Sequence, residues 1–205
     1  MTQLPFLSAD KAAGDSFSPV SRSPMQRLQR DHGARFETRN GWEVAVGFPD
    51  ETAMLETAGI VELPHLGKLD VRGAGTRPDA DRVVWYQMTP QRALCITRAV
   101  DTADVRATLE ESARRVVDVS AGFGSLALLG PRVGELLRRV TELENFPASG
   151  IISHIHGHVL TIDGGFLLLY PQEYGHYLYE VLLDAAVPFD GGPVGVDALP
   201  TGGIW

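Results

Sequence analysis

Segments in which apolar and polar residues alternate, as in a strand, follow segments with the spacing of amphipathic helices in a repeated order along this chain. That order limits the folds that the chain can adopt. Residues 42–48 alternate with the period of a strand, and residues 102–115 place apolar side chains at helical spacing. Residues 151–162 and 166–170 flank Asp163-Gly164-Gly165, which predicts a hairpin. Strand–helix–strand occurs twice, so we expect an α+β fold of two similar halves, each an antiparallel sheet backed by helices.

The first residues differ from the rest of the chain in composition. Residues 1–23 are rich in serine and show little periodicity, which predicts a flexible N-terminal arm. A helical pattern then begins, with Ser23 as the expected N-cap and Pro24 in the first turn. We therefore expect one domain over residues 24–205, which is long enough to bury a core without disulfides.

Charge and cysteine content exclude several classes of protein. Eighteen Lys and Arg against 26 Asp and Glu give a net charge of −8, which argues against nucleic acid as a partner. The single cysteine, Cys95, excludes an intramolecular disulfide and fits a reducing compartment, so we expect a cytoplasmic protein. The longest apolar run, residues 166–170, is far shorter than the roughly 20 residues of a membrane span, so no membrane partner is predicted.

Three histidines recur at every second position. His154, His156 and His158 would share one face of a continuous strand, and imidazoles on one face can bind zinc. A half-solvated strand face that tolerates histidine has the same pattern. Because no carboxylate or cysteine stands at a fixed spacing from them, the sequence leaves open whether they bind a metal, and we assign no metal ligand.

Two other features have competing interpretations. Gly122-Phe123-Gly124 precedes a strand and not a helix, so we interpret it as a turn and not a phosphate-binding loop. Trp85 and Tyr86 would line a pocket for a flat ligand, although aromatic residues on strands are more often core residues. From the residues alone, the chemistry stays open.

Several short motifs resemble one superfamily. Residues 24–73, with Glu62-Leu63-Pro64-His65-Leu66-Gly67, resemble the opening of the folate-binding domain of glycine cleavage T-proteins, which are aminomethyltransferases. Residues 116–147 resemble the gamma subunit of heterotetrameric sarcosine oxidase, a relative of that domain, and so do the motifs at residues 62–64 and 85–94. Residues 193–199 again resemble the T-proteins. The resemblance implies a T-protein-like folate-binding domain, most similar to the gamma subunit.

The resemblance also implies which residues would bind tetrahydrofolate. The T-protein aspartate that acts at the folate nitrogens matches Asp81, and Trp85 or Tyr86 would pack on the pterin ring. T-proteins carry a carboxylate after a Gly-Phe pair, whereas this chain has Leu167 there. Losing a charge-assisted pterin contact costs about 1.5–3 kcal/mol, so the resemblance implies that folate chemistry is lost or weakened. No catalytic residue is assigned.

The resemblance implies a function in one-carbon metabolism. We expect a small non-catalytic subunit of a heteromeric, flavin-dependent amine oxidase or demethylase of the sarcosine type. Its partners would then be larger flavoprotein subunits, with FAD or FMN bound on those chains. The alternative is a free-standing aminomethyltransferase or methyltransferase that uses tetrahydrofolate as its cofactor. The chain is thus expected to serve an oxidoreductase complex rather than to act as an independent transferase.

Overall fold

The computed structural model describes residues 19–73, 75–79 and 83–199. The strands within these residues are β1 Arg35–Arg39, β2 Trp42–Gly47, β3 Gly59–Glu62, β4 Gly67–Arg72, β5 Val83–Thr89, β6 Arg92–Thr97, β7 Arg115–Asp118, β8 Phe123–Leu129, β9 Ala148–Ile152, β10 Ile155–Ile162, β11 Gly165–Pro171 and β12 Gly192–Val194. The helices are α1 Gln26–Asp31, α2 Glu51–Leu55, α3 Thr102–Glu110, α4 Val133–Val140 and α5 Gly175–Ala186.

The larger sheet has six strands in the order β12-β3-β8-β11-β10-β9. Its neighbours are antiparallel except for β12 and β3, which run parallel. The amphipathic helices α4 and α5 cover one face, where Leu136, Leu178 and Leu182 pack against the strands. The α4 pattern predicted this, because its apolar residues fall on one side of the helix.

The smaller sheet has four strands in the order β5-β6-β4-β7. Helix α3 covers its outer face through Val105 and Leu109, which pack with Leu69 and Cys95. The inner face meets the second face of the six-stranded sheet across a shared apolar layer, which we call the inter-sheet layer. Its buried members include Val61, Leu63, Tyr86, Leu94, Ile96, Leu160, Leu167 and Leu169.

This arrangement confirms the expected α+β class, with antiparallel sheets backed by helices. The two sheets differ in size, and a third, two-stranded ribbon of β1 and β2 contributes Val44 and Val46 to the inter-sheet layer. The predicted hairpin about Asp163 is also present, since Ile162 pairs with Gly165. Within the residues that the structure describes, no helix has the length and apolar character to cross a membrane.

The strand expected over residues 151–162 is in fact two strands. Ser153 and His154 have φ angles of 44° and 72° and form a tight turn between β9 and β10. Neither residue is glycine, so the usual sequence signal for left-handed backbone is missing. His154 therefore lies in a turn and does not share a strand face with His156 and His158.

The first described residues contact the β1–β2 ribbon before helix α1 begins. Of the predicted arm, residues 1–18 lie outside the described residues. Ser21 forms a parallel bridge with Trp42, and its backbone N–H donates to Gly41 O at 2.7 Å. Ser23 is buried, and its hydroxyl accepts from the backbone N–H of Met25 at 3.0 Å. Helix α1 begins at Gln26, so the expected cap at Ser23 lies outside the helix.

Candidate functional site

Three polar side chains form a hydrogen-bonded chain at the edge of the inter-sheet layer. The hydroxyl of Tyr86 lies 2.8 Å from Ser149 Oγ, which lies 2.5 Å from Nδ1 of His158. Tyr86 and His158 are buried, while Ser149 is exposed. The middle member, Ser149, is therefore accessible to solvent, and both of its partners are buried.

Strand geometry explains why these residues meet. Tyr86 points inward from β5 because alternate residues of a strand face opposite sides of the sheet. Ser149 on β9 and His158 on β10 are directly opposed in the antiparallel register, so their side chains share one face. The four-stranded sheet thus contributes Tyr86, and the six-stranded sheet contributes Ser149 and His158.

The surroundings of His158 keep its ring neutral. Burial, reinforced by the nearby charges of His156 and Arg92, lowers the pKa of His158 to about 4. The rings of Tyr86 and Phe123 lie against it, with centroids 5.6 and 6.0 Å away. In the tautomer protonated at Nε2, Nδ1 accepts from the Ser149 hydroxyl, which in turn accepts from the Tyr86 hydroxyl; the other tautomer reverses both hydrogen bonds. This arrangement can position a hydrogen-bonding ligand at Ser149 without carrying a charge itself.

The structure separates the residues expected to bind folate. Tyr86 faces the inter-sheet layer, whereas Trp85 faces the opposite side of the sheet and packs with the cluster under α3. The indole N–H of Trp85 donates to Gln87 Oε1 at 3.0 Å. Asp81 lies outside the described residues. Of the two aromatic residues, Tyr86 alone faces the inter-sheet layer.

Leu167 lies inside the inter-sheet layer. Its side chain is fully buried, and its strand neighbours are Ala127 and Leu160. The position after the Gly-Phe pair is therefore filled by an apolar contact and offers no acceptor to a pterin ring. Whether Asp81, Trp85 or Tyr86 contacts a folate stays a prediction.

The histidines do not assemble a metal centre in the described part of the chain. His156 and His158 share a face of β10 with ring centroids 5.9 Å apart, and His154 lies in the preceding turn. No group of three or more His, Cys, Asp or Glu side chains is arranged to hold an ion among the described residues.

A second polar cluster, around Glu62 and Lys68, is fully buried and was not predicted. Gln29 of α1 donates to Glu62 Oε2 at 2.7 Å, and Lys68 Nζ lies 3.5 Å from the carbonyl oxygen of Pro64. Burial raises the pKa of Glu62 to about 7, against the hydrogen bonds of Ser23 and Gln29 and the charge of Lys68. Burial also lowers the pKa of Lys68 to about 8. No pattern in the sequence around Glu62 indicates that this carboxylate is buried.

Comparison with known proteins supports the superfamily resemblance. No protein-family model matches the chain. The aminomethyltransferase of Geobacillus thermodenitrificans is 24% identical over 229 residues, covering 89% of this chain and 63% of the relative. That of Frankia alni is 26% identical over 156 residues, covering 58% of this chain and 43% of the relative.

Two solved structures share the fold. The glycine cleavage system aminomethyltransferase T of Bartonella henselae superposes with a TM-score of 0.67 at 16% identity, covering 87% of this chain and 60% of that protein. A chain of the heterotetrameric sarcosine oxidase of Corynebacterium sp. U-96 superposes with a TM-score of 0.57 at 16% identity, covering 85% of this chain and 98% of that one. This chain therefore has a T-protein-like fold shared with a sarcosine oxidase chain, and it spans less than two thirds of the aminomethyltransferases in the comparison.

Proposed function

We propose that this protein is a small non-catalytic subunit of a heteromeric, flavin-dependent amine oxidase of the sarcosine type, working in one-carbon metabolism in the cytoplasm. The observation that carries the proposal is the inter-sheet layer at Leu167. The side chains of that layer are apolar and closely packed, and each buried member is at most 7% exposed. A layer of this kind stabilises a subunit, and it provides few polar groups to hold a pterin ring.

The fold similarity to a sarcosine oxidase chain supports the same assignment. Under this proposal the flavin, FAD or FMN, is bound by larger partner chains, where it supplies the oxidation of the amine. This chain contributes a folded surface for assembly. Its own hydrogen-bonded chain from Tyr86 to Ser149 orders the edge of the inter-sheet layer.

One observation favours the alternative of a free-standing tetrahydrofolate-dependent transferase. Ser149 is exposed, and behind it Tyr86 and His158 form a pre-oriented hydrogen-bonded chain of the kind that binding sites use. In that case Asp81 would act at the folate nitrogens, as the resemblance implies.

Titration calorimetry with 5-formyltetrahydrofolate, a stable reduced folate, separates the two functions. We expect no saturable heat from the full chain, and the same result from Tyr86→Phe. Micromolar binding that Asp81→Ala abolishes would reject the subunit proposal in favour of the transferase.

Capture of the tagged protein from its native host tests the partner. We expect a larger chain to co-purify with stoichiometric flavin, detected by its absorbance spectrum, and the complex to oxidise a secondary amine such as sarcosine. Recovery of the protein alone, at the same yield under mild and stringent washes, would contradict the proposal.

A further inference from the structure

Three arginines stand in register across neighbouring strands at one end of the four-stranded sheet. On β4, Arg72 is directly opposite Arg92 of β6 on one side and Arg115 of β7 on the other. Directly opposed residues of antiparallel strands point to the same face, with Cβ atoms about 5 Å apart. The three guanidinium groups are therefore gathered along one row.

One buried carboxylate partly neutralises this row. Asp70 accepts from Arg72 Nε and Nη2 at 3.1 and 3.0 Å and from Arg92 Nε and Nη2 at 2.9 and 3.2 Å. Although burial acts to raise it, the hydrogen bonds and charges of Arg92 and Arg72 hold the pKa of Asp70 below its usual value. Asp70 is thus ionised and offsets one of the two positive charges that contact it.

The remaining positive charge is concentrated beside a pocket. Arg72, Gly73, Gln91, Arg114 and Arg115 line a space of about 410 Å³. Within the described residues, no carboxylate forms an ion pair with Arg114 or Arg115. Like charges opposed across strands destabilise a sheet, so a bound anion would relieve a repulsion that the fold carries.

The backbone at the end of β4 allows this grouping. Gly73 has a φ of +89°, and a Cβ at this position would lie 2.7 Å from Cβ of Arg114. Glycine therefore permits the turn that brings Arg114 against the end of the sheet. The volume falls within the range of small-molecule sites, which is roughly 300–1,000 Å³.

We propose that this pocket binds a small anion carrying two or more carboxylate or phosphate groups. Guanidinium groups bind both through paired, charge-assisted hydrogen bonds, and Arg72, Arg114 and Arg115 line this pocket. The net charge of the protein does not explain such binding, because a net charge of −8 repels anions. The site is separate from the hydrogen-bonded chain of Tyr86, Ser149 and His158, and the inference does not depend on the proposed function.

Titration calorimetry of the full chain at low ionic strength tests the proposal, with tripolyphosphate and citrate as the two probes. We expect at least one probe to bind at one equivalent and to raise the thermal unfolding midpoint. Tighter binding of tripolyphosphate assigns the site to phosphates, and tighter binding of citrate assigns it to carboxylates.

Matched variants locate the binding. Arg115→Gln should weaken the bound probe about tenfold or more, because one or two charge-assisted hydrogen bonds are lost. Arg27→Gln, which removes the same charge from exposed surface on α1, should bind as the unmodified protein does. Absence of binding by both probes, or equal losses in the two variants, would overturn the proposal.

Discussion

The hydroxyl of Tyr86 lies 2.8 Å from Ser149 Oγ, and this contact ties the four-stranded sheet to the edge of the six-stranded sheet. Ser149 in turn contacts His158 on its neighbouring strand. The relationship joins residues 63 positions apart in the chain, so it depends on the packing of the whole fold.

Removing the Tyr86 hydroxyl should destabilise the protein modestly. We expect Tyr86→Phe to lower the free energy of unfolding by about 0.5–1.5 kcal/mol, the usual net value of such a hydrogen bond, as measured by urea denaturation. Tyr177→Phe, at a 40% exposed position, serves as the control and should change it by less than about 0.5 kcal/mol. If Tyr86→Phe and Ser149→Ala are fully additive in the double variant, the two side chains are not coupled and the contact is contradicted.

The buried pair Glu62 and Lys68 should contribute least to the free energy of unfolding between about pH 7 and pH 8. The pKa of Glu62 is raised from 4.5 to about 7, so between these values the folded state binds more protons and stability falls as pH rises. The pKa of Lys68 is lowered from 10.5 to about 8, so between these values the unfolded state binds more protons and stability rises with pH.

Variants of the pair isolate the contribution of each residue to the pH dependence of stability. The unfolding free energy of the unmodified protein minus that of Glu62→Gln should fall as the pH rises from about 4.5 to 7. The corresponding difference for Lys68→Met should rise from about pH 8 to 10.5, and both are measured by urea denaturation across pH. If the difference between each variant and the unmodified protein does not change with pH, the buried pair does not titrate as described.

Truncating Leu167 should leave a cavity between the sheets. The side chain is fully buried, so Leu167→Ala should cost about 2–5 kcal/mol of unfolding free energy by chemical denaturation. Ile151→Ala, at a 56% exposed position, is the control and should cost less than about 0.5 kcal/mol. A cost for Leu167→Ala as small as that of the control would show that the inter-sheet layer is loosely packed.

Cys95 should be unreactive in the native protein. Burial raises the pKa of its thiol to about 12, and the thiolate is the species that attacks disulfide reagents. We expect the native protein to release no coloured thiolate from an aromatic disulfide reagent at neutral pH. After denaturation in urea, it should release one equivalent of that thiolate. Fast release from the native state at a rate independent of denaturant would contradict this placement.

Local patterns in the sequence predicted much of the fold. The alternation of Trp42, Val44 and Val46 indicated β2, and Asp163-Gly164-Gly165 indicated the β10–β11 hairpin. These features depend on side-chain period and turn chemistry within a few residues. The break at Ser153 and His154 was missed because two non-glycine residues adopt the left-handed conformation there.

Long-range features of the site were beyond such patterns. The sequence singled out Tyr86 as a candidate, but nothing near it in sequence indicates Ser149 or His158 as its partners. The sequence prediction treated Trp85 and Tyr86 together, although consecutive residues of a strand face opposite sides of the sheet. Of the two, only Tyr86 faces the inter-sheet layer. The burial of Glu62 likewise follows from tertiary packing.

The parallel pairing of β12 with β3 has a consequence for the order in which the chain folds during synthesis. Strands β4 to β7 are contiguous in sequence, from Gly67 to Asp118, so every strand pairing of the four-stranded sheet is made within this segment, which also contains α3. The six-stranded sheet needs both β3 and Gly192–Val194. During synthesis, the strand pairings of the smaller sheet can therefore form before residues 192–194, which complete the larger sheet, have emerged from the ribosome.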